Sequence, residues 1–422
     1  MAVVPVQKII VDDISDTKNQ NYTPALISLA ILYFMMGLIT CLNDTLVPFF
    51  KNGFNLTYAQ SSLVQFYFFL TYFVMSFPAG VIVEKIGYKR GMVIGFSAAA
   101  FGALLFFPAS MLHQYGLFLA ALFIIAIGIV LLQVAANPYV TILGPARTAS
   151  SRLALVQGVG SMGTTVAPIL GAHFILSHIK ESHASSAAVG DPYLVIACVL
   201  VIIAFVVYRL KLPQVKAGTG MAETEAGGAV KSVFSFRNLN FGIGAIFVYV
   251  GAEVSLGTFM TNYIADTLKM DVHQANNFVA FYWGGMLVGR LLGSALLQSI
   301  KPPLLLKSCA ALSILLILVS INSSGYVAVW SMISVGLCNA IMFATIFSLS
   351  VHGLGKFTTQ ASGLLSTAIV GGAIIPFLTG VVRDNSTWYL AFIIPVLCYL
   401  YILFYGISGY KSKFGLPSQA HY

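Results

Sequence analysis

Charged residues are scarce in this chain of 422 residues: Asp, Glu, Lys and Arg make up 8% of it, whereas soluble domains carry about a quarter. Hydrophobic residues make up 58%. A soluble domain cannot hide that much apolar surface from water. The composition therefore excludes ordinary soluble enzymes and indicates a protein whose solvent is the lipid bilayer.

Barrel and metal-site patterns are missing as well. The apolar runs lack the two-residue alternation of membrane barrels, and each is about 20 residues or longer, the length of a helix across a core of about 30 Å. The five cysteines stand in no CxxC or His-rich spacing, so we interpret them as small core residues. No HxxxH, DxxD or Ser/His/Asp set occurs in the runs, which argues against a membrane-embedded enzyme and predicts no cofactor.

Twelve apolar runs predict an all-α polytopic membrane protein whose twelve transmembrane helices form two pseudo-symmetric six-helix bundles. A polar tail, 1–23, lacks the apolar segment of a signal peptide. The first bundle spans 24–210, a small and polar linker covers 211–237, the second bundle spans 238–409, and a second tail covers 410–422. The predicted helices lie at 24–50, 59–83, 90–110, 116–143, 152–177, 191–210, 238–266, 273–299, 302–322, 325–351, 358–382 and 387–409.

The distribution of Lys and Arg predicts the orientation. With both termini inside, the inner loops and tails hold 17 of these residues and the outer loops hold 4. We therefore expect a multi-pass protein of the inner cell membrane with both termini and the linker in the cytoplasm. The net charge of +9 is then explained by topology and by attraction to anionic lipid, and no nucleic acid is expected to bind.

The two halves repeat one another. The fifth run contains VGSMGTTVAPILG and the eleventh contains IVGGAIIPFLTG; placing Pro168 on Pro376 also places Gly163 on Gly371. Carriers commonly move two similar bundles about a central site. The repeat favours a transporter.

Few charges lie inside the predicted spans, and each costs at least about 2.5 kcal/mol there. We predict that Asp44, in the first span, takes up a proton or binds Na⁺. Glu253, in the seventh, has the same role or only holds helices together. Four charges at the inner ends of the second and eighth spans and in the following loop are predicted to stabilise one conformation: Glu84, Lys85, Arg90 and Arg290.

Amides and aromatic residues interrupt several apolar runs. Sugars need this combination, because hydroxyls bind amides while the C–H face of a pyranose stacks on an aromatic ring. The alternative is that the amides only join helices. Asn137 and Pro138 are also expected to break the fourth helix and to expose carbonyls. The predicted substrate-binding residues are Asn43, Gln65, Gln133, Asn137, Gln157, Asn262, Tyr282, Trp283 and Asn339.

Four segments carry a family resemblance: QVAANPYVTILGP (133–145), VYVGAEVSLGTFMTNYI (248–264), GLCNAIMFATIFSLSVHGLG (336–355) and IVGGAIIPFLTGVVRDN (369–385). With them the chain resembles the fucose:proton symporter family of the major facilitator superfamily, and within it the glucose/galactose permease branch. The resemblance implies import of a hexose with a cation by alternating access, at a site between the halves.

One position departs from the fucose carriers. The resemblance places their first coupling acid at Asp44, in LNDTLVP, but their second acid position is Gln133 here. Glutamine cannot titrate, so a relay of two acids is not carried over. Asp44, alone or with Glu253, remains as the ionisable element.

Na⁺ is favoured slightly over H⁺ as the coupling ion, because one carboxylate with neutral oxygens suits a hard cation. We expect a monomer whose partners are the hexose, the cation and the bilayer. The alternatives are a proton-coupled carrier of the fucose type, a drug or peptide exporter, and a sugar sensor that does not transport. An exporter cavity is expected to be more apolar or more charged, and a sensor needs a signalling domain that the short tails and the linker do not offer.

Overall fold

The computed structural model describes residues 25–39, 63–174, 187–210, 232–270 and 272–412. These residues form twelve mainly α-helical segments, each of which overlaps a predicted span. The predicted all-helical class with twelve membrane helices is confirmed. The second half of the first predicted span, with Asn43 and Asp44, lies outside the described residues, as do 1–24 and 211–231.

The helices of the first half are α1 (Ala25–Ile39), α2 (Leu63–Ile86), α3 (Tyr88–Leu112), α4 (Tyr115–Ile142), α5 (Ala149–Phe174) and α6 (Ala187–Arg209). Those of the second half are α7 (Arg237–Leu268), α8 (Val272–Ser299), α9 (Pro302–Asn322), α10 (Gly325–Val351), α11 (Gly355–Asn385) and α12 (Trp388–Gly409). Ten of these helices are long and apolar enough to cross a membrane, and α1 and α5 complete the twelve.

Glycine and proline mark the turns at one end of the bundle. Gly87 alone separates α2 from α3, and its φ of 84° is open to glycine at little cost. Gly144, with a φ of 118°, turns the chain after α4. Pro302 begins α9, and its missing N–H costs nothing there because the first N–H groups of a helix have no acceptor within the helix. These residues make the loops short and keep successive helices antiparallel.

The expected break at Pro138 is wrong, because α4 continues through this residue. Proline has no N–H for the carbonyl of Val134 four residues earlier. The Ser362 hydroxyl of α11 donates to that carbonyl at 3.1 Å, so it stays satisfied without a break. The interruption lies instead in α10, whose α-helix ends at Asn339 and resumes at Met342.

The internal repeat has the same packing role in both halves. A Cβ at Gly163 of α5 would overlap the Phe34 carbonyl of α1, and a Cβ at Gly371 of α11 would overlap the Phe247 carbonyl of α7. The two glycines therefore let equivalent helix pairs approach closely. This is the pair of positions that the sequence alignment of the halves brings together.

The halves meet at one end of the molecule, which we call the closed end. It contains the C-termini of α2, α4, α8 and α10 and the N-termini of α3, α5, α9 and α11. The Tyr88 and Thr359 hydroxyls are 2.9 Å apart there, and the Ser151 hydroxyl donates to the Ser294 carbonyl at 2.6 Å. Because α2 packs closely on Thr358–Thr367 and only lightly on Gly371–Asn385, these two helices diverge away from this end.

The cysteines only partly match the expectation of core positions. Cys338 and Cys398 are buried, and Cys309 is half-buried. Cys198 of α6 is exposed, so for this residue the expectation is wrong. In a membrane helix the lipid-facing side is as apolar as the core, so a thiol is accommodated on either. Cys41 lies outside the described residues.

Candidate functional site

An ion pair lies inside the second half, between α7 and α8. The Glu253 Oε1 and Arg290 Nη2 atoms are 3.9 Å apart, and the two side chains are 14% and 20% exposed. The Tyr249 hydroxyl lies near the Glu253 side chain and donates its proton to the carbonyl of Asn339. An unpaired charge at this depth would be costly, so each partner offsets the desolvation of the other.

Arg290 also reaches the first half of the molecule. Its Nη1 donates to the Ser161 hydroxyl of α5. Its Nε is buried without a hydrogen-bond partner, and so is the Oε1 of Gln157, one turn before Ser161 on α5. A buried donor and a buried acceptor are thus left open where the halves meet, and a group that both donates and accepts would satisfy them.

Asn339 of α10 is hydrogen-bonded to residues of three other helices near this ion pair. Its Nδ2 donates to the Tyr282 hydroxyl at 3.0 Å, and its Oδ1 accepts from the Tyr399 hydroxyl at 2.6 Å. Its carbonyl accepts from Tyr249 at 3.1 Å, and Tyr282 donates to the carbonyl of Glu253 at 3.3 Å. Asn339 and Tyr282 are fully buried, so they hold α7, α8, α10 and α12 together around Glu253.

The first half has two amide–tyrosine pairs. Gln133 of α4 donates through Nε2 to the Tyr72 hydroxyl of α2 at 2.7 Å and is partly exposed. Asn137, one turn further along α4, is buried and accepts from the Tyr33 hydroxyl of α1. Gln133 is therefore open to a ligand, whereas Asn137 mainly fixes α1 against α4.

The remaining predicted binding residues are Trp283, Asn262, Gln65 and Asn43. Trp283 is 48% exposed and packs edge-to-face on Tyr282, with ring centroids 5.2 Å apart. Asn262 is exposed, two turns beyond Glu253 toward the other end of α7. Gln65 begins α2, but its side chain is outside the described part of the structure, as are Asn43 and Asp44.

The four charges that were predicted to stabilise one conformation do not form ion pairs with one another. Glu84 accepts a hydrogen bond from the Gln360 amide of α11 at 2.8 Å, which links the halves at the closed end. Lys85 and Arg90 are exposed. Arg290 lies nine residues before Ser299, the end of α8, as the predicted span 273–299 places it, and there it reaches Glu253 and Ser161.

A comparison with known families decides what kind of protein holds this site. The family model described as Major Facilitator Superfamily matches residues 29–376. The chain belongs to the Major Facilitator Superfamily. This membership confirms the predicted family and fits a multi-pass carrier rather than an enzyme.

Similar members of the superfamily are named as sugar transporters. A glucose/galactose transporter of Brucella abortus biovar 1 (strain 9-941) is 47% identical over 403 residues, which are 94% of this chain and 97% of that one. The L-fucose-proton symporter of Escherichia coli (strain K12) is 30% identical over 412 residues, 92% of this chain and 93% of that one. The crystal structure of FucP in the outward conformation has a TM-score of 0.83, 29% identity, and coverage of 92% of this chain and 99% of that chain.

The sequence did not identify the hydroxyl groups that bond to the predicted site residues. Ser161 bonds to Arg290, Tyr72 to Gln133, and Tyr249 and Tyr399 both bond to Asn339, in each case from another helix. Tyrosines are common in membrane helices, so their presence alone carries little signal. Only the spacing of Ser161, four residues after Gln157, could have suggested a shared helix face.

Proposed function

We propose that this protein imports a hexose of the glucose or galactose type, coupled to a cation, by alternating access of its two halves. The observation that carries the proposal is the pair of open groups, Gln157 Oε1 and Arg290 Nε, where the halves meet. The 47% identity to a protein named glucose/galactose transporter supports this class of substrate.

The chemistry of a sugar suits these groups. The hydroxyls of a sugar can donate to Gln157 Oε1 and accept from Arg290 Nε, which satisfies both atoms. Gln133 offers a further amide in the first half, and the exposed ring of Trp283 in the second half offers an aromatic face. Because the substrate would bond to both halves, its binding would favour the state in which they close around it.

The coupling ion is proposed to be Na⁺, held by Asp44 and neutral oxygens, with Glu253 as a second ionisable group. H⁺ is the second candidate, because a relative that is 30% identical is named an L-fucose-proton symporter. Gln133 cannot carry a proton, so either ion relies on these two carboxylates. The charge of Glu253 is paired with Arg290, and Arg290 also donates to Ser161 of the first half. A change of charge at Glu253 would therefore change a contact between the halves.

The closed end is proposed to face the cytoplasm of a bacterial inner membrane. The excess of Lys and Arg in the loops of that end supports this orientation. The structure then corresponds to an outward-facing state, in keeping with its likeness to FucP in the outward conformation. Rocking of the halves would separate the closed end and release the sugar inward.

Uptake by the purified protein in liposomes tests the proposal. Labelled hexoses are offered while the Na⁺ and H⁺ gradients are imposed separately, and empty liposomes give the background. Accumulation of glucose or galactose that depends on one gradient is the expected result, and the gradient that drives it identifies the ion. Absence of hexose uptake under both gradients would exclude the function.

A further inference from the structure

A cavity of about 320 Å³ lies at the closed end, between the halves. The first half contributes the turn after α4 and the start of α5, and the second half contributes the end of α10 and the starts of α9 and α11. Its polar side chains are four hydroxyls and one imidazole: Thr141, Ser150, Ser348, Thr358 and His352. This cavity is separate from the site around Glu253 and Arg290, since the two share no residue.

The charge around the cavity has one sign. Its lining residues in the described part of the chain include no carboxylate. Arg147, Lys301 and Lys356 each adjoin a lining residue in the sequence and are exposed, and we call these three residues the rim. In this structure the Thr141, Ser348 and Thr358 hydroxyls donate to the backbone carbonyls three residues earlier, at 2.7–3.1 Å, and the Ser150 and Ser348 hydroxyls bond to each other. Rotation of these hydroxyls would redirect their protons to phosphate oxygens, and the exposed basic side chains would attract the anion.

The size of the cavity suits a small organic anion. Pockets for small molecules begin at about 300 Å³. An inorganic phosphate would fill only part of this space, whereas a sugar that carries one phosphate also has hydroxyls for the serine and threonine side chains.

We propose that the cavity binds a small phosphate-bearing anion, of hexose phosphate size, and that this anion holds the closed end shut. Both halves line the cavity, so it exists in full only while they are in contact at this end. A ligand that binds this state alone shifts the population toward it. Bound from the side of the closed end, it therefore slows transport.

Binding is measured on the full-length protein with two probes, glucose 6-phosphate and inorganic phosphate, and with glucose as the control for the sugar moiety. We expect glucose 6-phosphate to raise the melting temperature with saturation below about 10 mM, since a ligand of the folded state stabilises it. In liposomes it should inhibit exchange only when present on the side of the closed end. An equal effect of inorganic phosphate would also support the site, with recognition limited to the phosphate.

The matched variants replace basic residues with Glu, either next to the cavity or, as a control, away from it. The double variant Lys301→Glu/Lys356→Glu should weaken binding at least about tenfold, because it puts negative charge at the rim. Arg209→Glu, on α6 outside the cavity, should leave binding unchanged. Thr141→Val, which keeps the shape but removes one lining hydroxyl, should weaken binding by a smaller factor. Absence of any thermal shift with either phosphate, or an equal loss in Arg209→Glu, would overturn the proposal, and neither outcome depends on hexose uptake.

Discussion

Gln133 occupies the position at which the resemblance to the fucose carriers places their second acid. In the structure it is a partly exposed amide that bonds to Tyr72, so it offers hydrogen bonds and no charge. Its side chain can recognise a sugar but cannot exchange a proton. Under the proposed function, the change from acid to amide moves coupling to other residues and leaves sugar recognition in place.

Replacement of this amide should weaken sugar binding. Gln133→Ala removes one neutral hydrogen bond of about 0.5–1.5 kcal/mol, so we expect the half-saturating sugar concentration to rise about threefold to tenfold. The measurement is concentration-dependent uptake in liposomes. Tyr72→Phe is the control: it removes the partner hydroxyl but keeps the amide, and a smaller rise is expected. An unchanged value in Gln133→Ala would show that the amide does not contact the sugar.

We expect His352, just after α10, to make the closed end sensitive to pH. Burial lowers the pKa of its imidazole below the usual value of about 6.5. The neutral form is therefore favoured while the halves are together, and the ordinary pKa returns when His352 meets water. Closure is fully favoured above pH 6.5 or so and is weakened as the pH falls below it.

The distance between spin labels on α2 and α11 at the closed end, followed against pH without sugar, measures this effect. We expect the open population to grow as the pH falls from about 7.5 to about 5.5. His352→Gln, which keeps a polar group of similar size, should flatten the curve. The same pH dependence in His352→Gln would assign the effect to another group.

The sequence predicted which single residues are polar and lie inside the helices, but not which residues they bond to. The scarcity of polar residues in apolar runs was enough to find Glu253, Gln157 and Asn339. Whether each is open to a ligand depends on tyrosines and serines of other helices: Asn339 is fully occupied, while Gln157 keeps an open oxygen. No local pattern carries that information.

Whole helices were easier to predict than their interruptions. The length of each apolar run locates a helix, because the bilayer fixes how long it must be. The effect of Pro138 depended on Ser362, 224 positions away, which satisfies the freed carbonyl of Val134. The interruption after Asn339 has no proline, and its carbonyl is taken by Tyr249.

The bond from Ser362 to α4 should help to keep the closed end shut, since the two residues belong to different halves. Ser362→Ala leaves the Val134 carbonyl without its partner, at a cost of about 1 kcal/mol, so the open population should rise about fivefold. Spin-label distances across the closed end measure it. The control is Ser366→Ala, one turn along α11, whose buried hydroxyl has no hydrogen-bond partner. Equal shifts in both variants would show that the bond to Val134 has no special role.

On the scale of the whole molecule, the repeat and the loop charges predicted two bundles and an orientation, and the two bundles do meet at a single end. The conformational state could not be predicted from the sequence. The same glycines and hydroxyls serve every state of a carrier, and only the contacts made in one state, such as Tyr88 with Thr359, identify it. Coupling is a property of this scale too, because it links an ion to the movement of both halves.

Two matched variants test which carboxylate provides that coupling. Asp44→Asn and Glu253→Gln each remove one charge and keep the side-chain size. If Asp44 couples, Asp44→Asn should lose accumulation against a gradient, by tenfold or more, yet retain exchange of labelled for unlabelled sugar, because exchange needs binding without net movement of the ion. Glu253→Gln should keep some accumulation but melt at a lower temperature, since it leaves Arg290 charged and unpaired. The reverse pattern would transfer the coupling role to Glu253, and full accumulation in both variants would show that neither carboxylate links ion to sugar.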